Sequence, residues 1–233
     1  MEIYAISDLH LSAGADKPMD IFGGEWHNYL EKIESDWRAR VQDNDVVLIA
    51  GDLSWAMTLG QAAPDFEYLG ALPGKKVIIR GNHDYWWNSV SRVRAALPAG
   101  IFAVQNDVLR LDNLLVFGSR GWTVKENAPL SAEDQKIYLR ETERLKLSVS
   151  ALEKVRKEGD VVVGMMHYPP FNTRRDGNEL TELFSRARPH AVVYGHLHGK
   201  ECKSELRTVK DGIPYYLTSC DQLKNKLAHI LTV

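Results

Sequence analysis

Hydrophobic positions along the chain fall into two rhythms. Unbroken apolar runs rich in Val, Ile and Tyr occupy residues 3–7, 46–50, 77–80, 161–165 and 191–194. Each is too short for a typical helix, and a short continuous apolar run bounded by turn residues predicts a strand buried on both faces. Residues 26–41 follow a different spacing, with Tyr29, Leu30, Ile33 and Trp37 set among charges, and residues 61–72, 88–97 and 180–187 are shorter stretches of the same kind. Apolar positions three and four apart predict amphipathic helices. Strand and helix therefore alternate, which predicts an α/β fold with a mainly parallel central sheet.

Beyond Ala96 the pattern changes. Short strand candidates follow at residues 102–104, 108–111, 114–117, 206–209, 215–218 and 228–232, and two packed sheets house so many strands better than one. Residues 131–158 are predicted to form a charged helical segment. Ser131-Ala132-Glu133-Asp134 resembles a capping box at its start, Gly159 closes it, and Leu145, Val149, Leu152 and Val155 form its apolar face. No internal repeat, low-complexity tract or linker interrupts the chain, so a single domain over residues 1–233 is expected.

Composition adds little beyond exclusions. With 44% hydrophobic and 26% charged residues the chain reads as an ordinary globular protein. The first apolar run starts within two residues of Met1, without the charged region and cleavage site of a secretory signal. No apolar stretch approaches the roughly 20 residues needed to span a bilayer, so a cytoplasmic protein with no membrane partner is expected. A net charge of -2 without a polybasic block argues against a dedicated nucleic-acid binder. Cys202 and Cys220 lack C-x-x-C spacing and are expected as free thiols.

The polar residues that follow the five buried runs carry the chemistry. Asp8-Leu9-His10 follows the first, Gly51-Asp52 the second, Gly81-Asn82-His83-Asp84 the third, His167 the fourth and Gly195-His196-Leu197-His198 the fifth. In open α/β sheets the loops outside the carboxyl ends of strands gather into one crevice, and five of the eight histidines stand at these ends. Each item alone has a plain explanation: Asp8 and Asp52 as caps, Asn82 as a turn residue, His167 as a satisfied core imidazole. Together they are what a shared metal centre requires. Imidazole nitrogens mixed with carboxylate and amide oxygens, with no thiolate, suit Mn, Fe or Zn. Seven candidate ligands, Asp8, His10, Asp52, Asn82, His167, His196 and His198, are too many for one four-coordinate ion and about right for two ions bridged by one carboxylate.

The order D-x-H, GD, GNHD, H, GHxH, spanning Asp8 to His198, resembles the signature of the calcineurin-like metallophosphoesterase superfamily. The resemblance implies a four-layer α/β/β/α sandwich of two mixed β-sheets flanked by helices, with the site at the strand ends. It implies that Asp8, His10 and His198 bind one metal, that Asn82, His167 and His196 bind the other, and that Asp52 bridges them. The cofactors implied are two divalent or mixed-valence transition-metal ions (Mn, Fe or Zn). The implied activity is hydrolysis of small phosphomonoesters or phosphodiesters by a metal-activated hydroxide, with His83 contacting substrate as proton donor or charge stabiliser. Asp84 beside it orients that ring or serves a local turn. Ser/Thr protein phosphatases of this pattern carry an Asp-Arg pair soon after the bridging aspartate, where this chain reads Leu53-Ser54-Trp55-Ala56-Met57; that substrate class is disfavoured. Class III cyclic-nucleotide phosphodiesterases and bacterial nucleotide or phospholipid hydrolases share the motif order equally.

Around the motif, residues 11–25 form a loop long enough for a rim or lid, or an ordinary connection. Trp55, Tyr85, Trp86, Trp87, Trp122 and Tyr168 lie in or near site-forming loops, for stacking or for packing. Arg174, Arg175 and the weaker candidate Arg120 offer planar donor forks for phosphate, with Trp55 the aromatic substrate-binding candidate. Three rivals remain in view. A nuclease of the same superfamily needs a basic track beside the metals. A non-catalytic scaffold resembles the retromer subunit, which lacks the histidine of the GNH block that is present here as His83. An amidohydrolase needs H-x-H after its first strand, where this chain has D-x-H. The oligomeric state is left open.

Overall fold

The apolar runs fold as strands almost where their pattern puts them. The computed structural model describes every residue except Asp16 and Pro18, and every side chain except those two and Asp20, Phe22 and Glu25. Its first half runs β1 (Glu2–Ile6), α1 (Tyr29–Arg40), β2 (Val46–Ile49), α2 (Leu59–Gly70), β3 (Lys75–Ile78), α3 (Val90–Ala96) and β4 (Ile101–Ala103). The second half runs β5 (Val108–Leu111), β6 (Leu114–Ser119), α4 (Ala132–Val155), β7 (Val161–Met166), α5 (Glu179–Ala187), β8 (Ala191–Tyr194), β9 (Arg207–Lys210), β10 (Ile213–Leu217) and β11 (Ala228–Thr232).

These strands form two mixed sheets, in the order β11-β1-β2-β3-β4 and β5-β6-β7-β8-β10-β9. In the first, β1 to β4 are parallel and β11 is antiparallel to β1. In the second, β6, β7, β8 and β10 are parallel while β5 and β9 close the edges antiparallel. Alternation of side chains along each strand then sorts the core into layers. Ile3 and Ala5 face Val163, Met165 and Val193 across the sandwich, with Val46, Leu48 and Val77 beside them. The alternate residues Tyr4, Ile6, Val47 and Ile49 face outward onto Ile33 and Trp37 of α1 and Phe66 of α2. On the other side Leu115, Phe117, Val192 and Tyr215 pack under Leu145 and Leu152 of α4 and Phe184 of α5. Strands buried on both faces explain why their sequences lack an apolar/polar alternation.

Local chemistry sets the helix limits. Residues 26–28 do not join α1, because a 3-10 turn over Gly24–Trp26 is followed by extended His27 and by Asn28 at φ 49, a left-handed conformation outside the helix. At α4 the Ser131 hydroxyl accepts from Asp134 N at 3.0 Å and donates to the Asp134 carboxylate at 2.6 Å, the local capping that the sequence pattern predicts. The helix ends at Val155, before Gly159, as Arg156 turns extended. A capping box of Asn178 and Thr181 starts α5. The loop over residues 11–25 carries two 3-10 turns, Met19–Phe22 and Gly24–Trp26, and its Asp16 and Pro18 lie outside the described residues. Both cysteines are free, and no described helix is long and apolar enough to cross a membrane.

Candidate metal centre

Parallel strands deliver their C-terminal loops to one end of each sheet, and backbone hydrogen bonds bring the two ends together. Ser7 N donates to Thr218 O at 2.7 Å and Cys220 N to Ser7 O at 3.0 Å, tying the loop after β1 to the loop after β10. His196 N then donates to both carboxylate oxygens of Asp8, at 3.1 and 3.0 Å. Two glycines permit this approach. A Cβ on Gly195 would lie 2.4 Å from Ser7 Oγ, and one on Gly81 would lie 2.1 Å from Asp52 Oδ1.

The candidate ligands converge from both sheets. Asp8, His10 and His198 offer ligand atoms within 4.8 Å of one another, as do Asp8, Asp52 and His167. Asp52 Oδ2 lies 3.8 Å from His10 Nε2 and 3.5 Å from His167 Nε2, so it faces one imidazole from each of the two expected sets. His167 Nδ1 sits 2.9 Å from Ala50 O; a carbonyl only accepts, so that nitrogen carries the proton and the Nε2 lone pair points inward. There it meets Asn82 Oδ1 at 2.7 Å, while His196 Nδ1 reaches the same oxygen at 2.9 Å.

These atoms fit a cation. With a neutral His167, two acceptors face each other at close range, an arrangement that a cation between them relieves. Both ring nitrogens of His10 and Asp52 Oδ2 are buried without a hydrogen-bond partner among the described residues. Buried polar groups left in this way are rare and call for an ion or water. Burial, the largest influence, pushes the imidazoliums down, to about 3 at His10 and about 4 at His167 and His196, which leaves lone pairs available. Burial and the carboxylates of Asp8 and Asp84 push Asp52 up to about 9. Neutral imidazoles and crowded carboxylates in a dry site lack only positive charge.

The structure sorts the other sequence candidates. His83 stands beside the cluster: its N–H donates to Asp52 Oδ1 at 2.8 Å, and its ring lies 5.6 Å from that of His10 and 4.6 Å from that of Trp55. Asp84 is corrected. Fully buried, it accepts from the backbone N–H groups of Asp52, Leu53, Ser54 and Gly81 and from Trp86 Nε1, and so clamps the loops after β2 and β3. Arg120 pairs with the buried Glu141 and lies over Trp122, while its carbonyl accepts from His167 N and Tyr168 N. Arg174 is held by Asp176 and Asn127 away from the ligands, on a different cavity. Arg175 lines a cavity of about 700 Å³ that also touches His196 and His198, although it is paired with Glu205 at 2.7 Å. Trp55 stacks on His10, centroids 4.6 Å apart and planes at 20°.

Trp26 and Met19 also belong to the site and escaped sequence reasoning. Met19 arrives on the irregular loop after Asp8 and His10, where no periodicity marks direction, and Trp26, expected as the first residue of the helix over 26–41, lies in the 3-10 turn before it.

Solved structures share this architecture. The protein TT1561 from Thermus thermophilus is 16% identical over 98% of each chain with a TM-score of 0.60. AQ665 from Aquifex aeolicus is 14% identical, covering 97% of this chain and 94% of that one, with a TM-score of 0.49. Vacuolar Protein Sorting 29 from Cryptosporidium parvum is 15% identical, covering 92% and 72%, with a TM-score of 0.42. The first speaks for the fold alone, and the other two are too loose to add to it. No curated protein matches the sequence. The family model described as calcineurin-like phosphoesterase matches residues 1–200, from the start of β1 through the last candidate ligand, and the chain belongs to that family.

Proposed function

We propose that the chain is a metal-dependent phosphoric ester hydrolase that acts on small phosphomonoesters or phosphodiesters at a dinuclear centre of Mn, Fe or Zn ions. The observation that carries this reading is the set of buried polar atoms without a hydrogen-bond partner among the described residues, both ring nitrogens of His10 and Asp52 Oδ2. Asp8, His10 and His198 would hold one ion and Asn82, His167 and His196 the other, with Asp52 shared. Bound there, the ions supply Lewis acidity toward phosphate oxygens and lower the pKa of a coordinated water.

The chain's own residues do the rest. Ser7 Oγ and His196 N fix the Asp8 carboxylate, and Ala50 O fixes the tautomer of His167. His83, half-buried and anchored through its backbone on Asp52, presents its ring toward the cavity it shares with His10 and His198. From there it donates a proton to the leaving oxygen. A cytoplasmic setting suits the two free cysteines.

The test is the initial hydrolysis rate of bis(p-nitrophenyl) phosphate by Mn-reconstituted protein, beside an Asp52→Asn variant prepared identically. Turnover in the parent and none above buffer in the variant is expected. Equal rates in the two would sink the reading.

A further inference from the structure

A second cavity, of about 500 Å³, opens on the candidate metal centre and is lined by Met19, Trp26 and Trp55 together with His10, His83, His198, Gly199 and Lys200. Met19, Trp26 and Trp55 give it an apolar face, although Lys200 also lines it and the Lys17 ammonium lies 4.8 Å from the Trp55 ring centroid. Trp55 Nε1 donates to Met19 Sδ at 3.2 Å, so the indole's polar group is occupied within the wall. Trp26, 3% exposed, stands edge-on to His10 and His198, with centroids 6.1 and 6.2 Å away. The larger cavity that meets this one at His198 is mixed, with Arg175, Glu201, Lys203 and Glu205 beside Phe171, Tyr194 and Leu197. Drug-sized ligands occupy pockets of roughly 300–1,000 Å³ lined mainly by apolar and aromatic groups; the Met19–Trp26–Trp55 cavity has that size and lining.

Position decides which part of a substrate enters it. His83 lines this cavity and is absent from the lining of the larger one. A general acid must lie within hydrogen-bond reach of the oxygen it protonates, so an ester whose leaving oxygen faces His83 directs the attached carbon into the apolar cavity.

We propose that the Met19–Trp26–Trp55 cavity is the leaving-group subsite and that it takes an apolar ring. The substrate class is then a phosphate ester of an aromatic or similarly apolar alcohol rather than of a sugar. This rests on the phosphoesterase reading above. Aromatic walls favour a ring through edge-to-face contact as well as area burial, and the charged groups of the neighbouring cavity suit the polar remainder of a diester.

Calorimetric titration of the Mn-loaded protein with benzylphosphonate, methylphosphonate and inorganic phosphate tests this without turnover. Benzylphosphonate, in which CH₂ replaces the ester oxygen, is expected to bind at least about tenfold more tightly than methylphosphonate, a difference of about 1.4 kcal/mol. Trp55→Ala and, as a second route should that variant fold poorly, Met19→Ser should each shrink the ratio severalfold. Equal affinities in the parent, or a ratio that survives in the folded variants, would overturn the subsite while leaving metal-dependent phosphate binding in place. If none of the three ligands binds more tightly with Mn than after chelation, the phosphoesterase reading falls and the subsite with it.

Discussion

Four of the seven candidate ligands hold left-handed backbone: Asp8 at φ 56, His10 at φ 47, Asp52 at φ 51 and His196 at φ 70. Such conformations cost non-glycine residues about 1–3 kcal/mol each and persist where surrounding structure over-determines them. Here the restraint includes Asp84, whose carboxylate gathers five N–H groups from two loops. Asp84→Ala strands those donors in a dry environment, and a loss of about 3 kcal/mol or more is expected from urea unfolding, together with weakened metal binding. His83 carries the opposite expectation. His83→Ala should retain bound metal by atomic analysis yet lose about 10²–10⁴-fold in turnover; unchanged rates on esters with poor leaving groups would remove it from the mechanism. The convergence of the candidate ligands was legible in sequence because Asp, Asn and His at successive strand ends have few joint explanations. Asp84 was ambiguous there, since its partners are backbone groups of Leu53 and Ser54, and any residue supplies a backbone N–H.

At the level of elements, the strands were legible because apolar runs buried on both faces leave an uninterrupted signal, whereas the limits of α1 were not. Its first turn depends on the left-handed Asn28, a choice made by packing rather than by periodicity. One strand carries a testable oddity. Lys76 of β3 is 2% exposed, its ammonium donates to Leu72 O, and burial pulls it down to about 8. Between pH 8 and the ordinary lysine range the unfolded chain binds the proton that the native chain has lost, so this residue's contribution to stability rises with pH across that window. Below pH 8 the penalty is fully present. Lys76→Met is therefore expected to exceed the parent in stability at pH 7, by on the order of 2 kcal/mol, with the gap narrowing by about pH 9.5 in parallel denaturant titrations. A gap independent of pH would show that the charge is accommodated without penalty.

For the whole molecule, the decisive feature is that neither sheet owns the site. Asp8, His10, Asp52 and Asn82 stand on loops of the first sheet, and His167, His196 and His198 on loops of the second. A ligand that binds only the folded state adds RT ln(1 + [L]/Kd) to stability. Metal loading should accordingly raise the melting temperature of the parent by several degrees, chelation should reverse it, and Asp52→Asn should blunt the response; an identical melting curve with and without metal would count against a shared centre.

The division of the ligands between sheets also follows the chain, since the first four precede residue 104 and the last three follow residue 160. Cut in the turn between β4 and β5, the polypeptide would yield two fragments, each holding an incomplete donor set. Tight metal capture would then act as a coincidence signal, registering only when the two pieces have found each other, and a colourless protein split at that turn would become its own reporter of reassembly once cobalt took the place of the native ions.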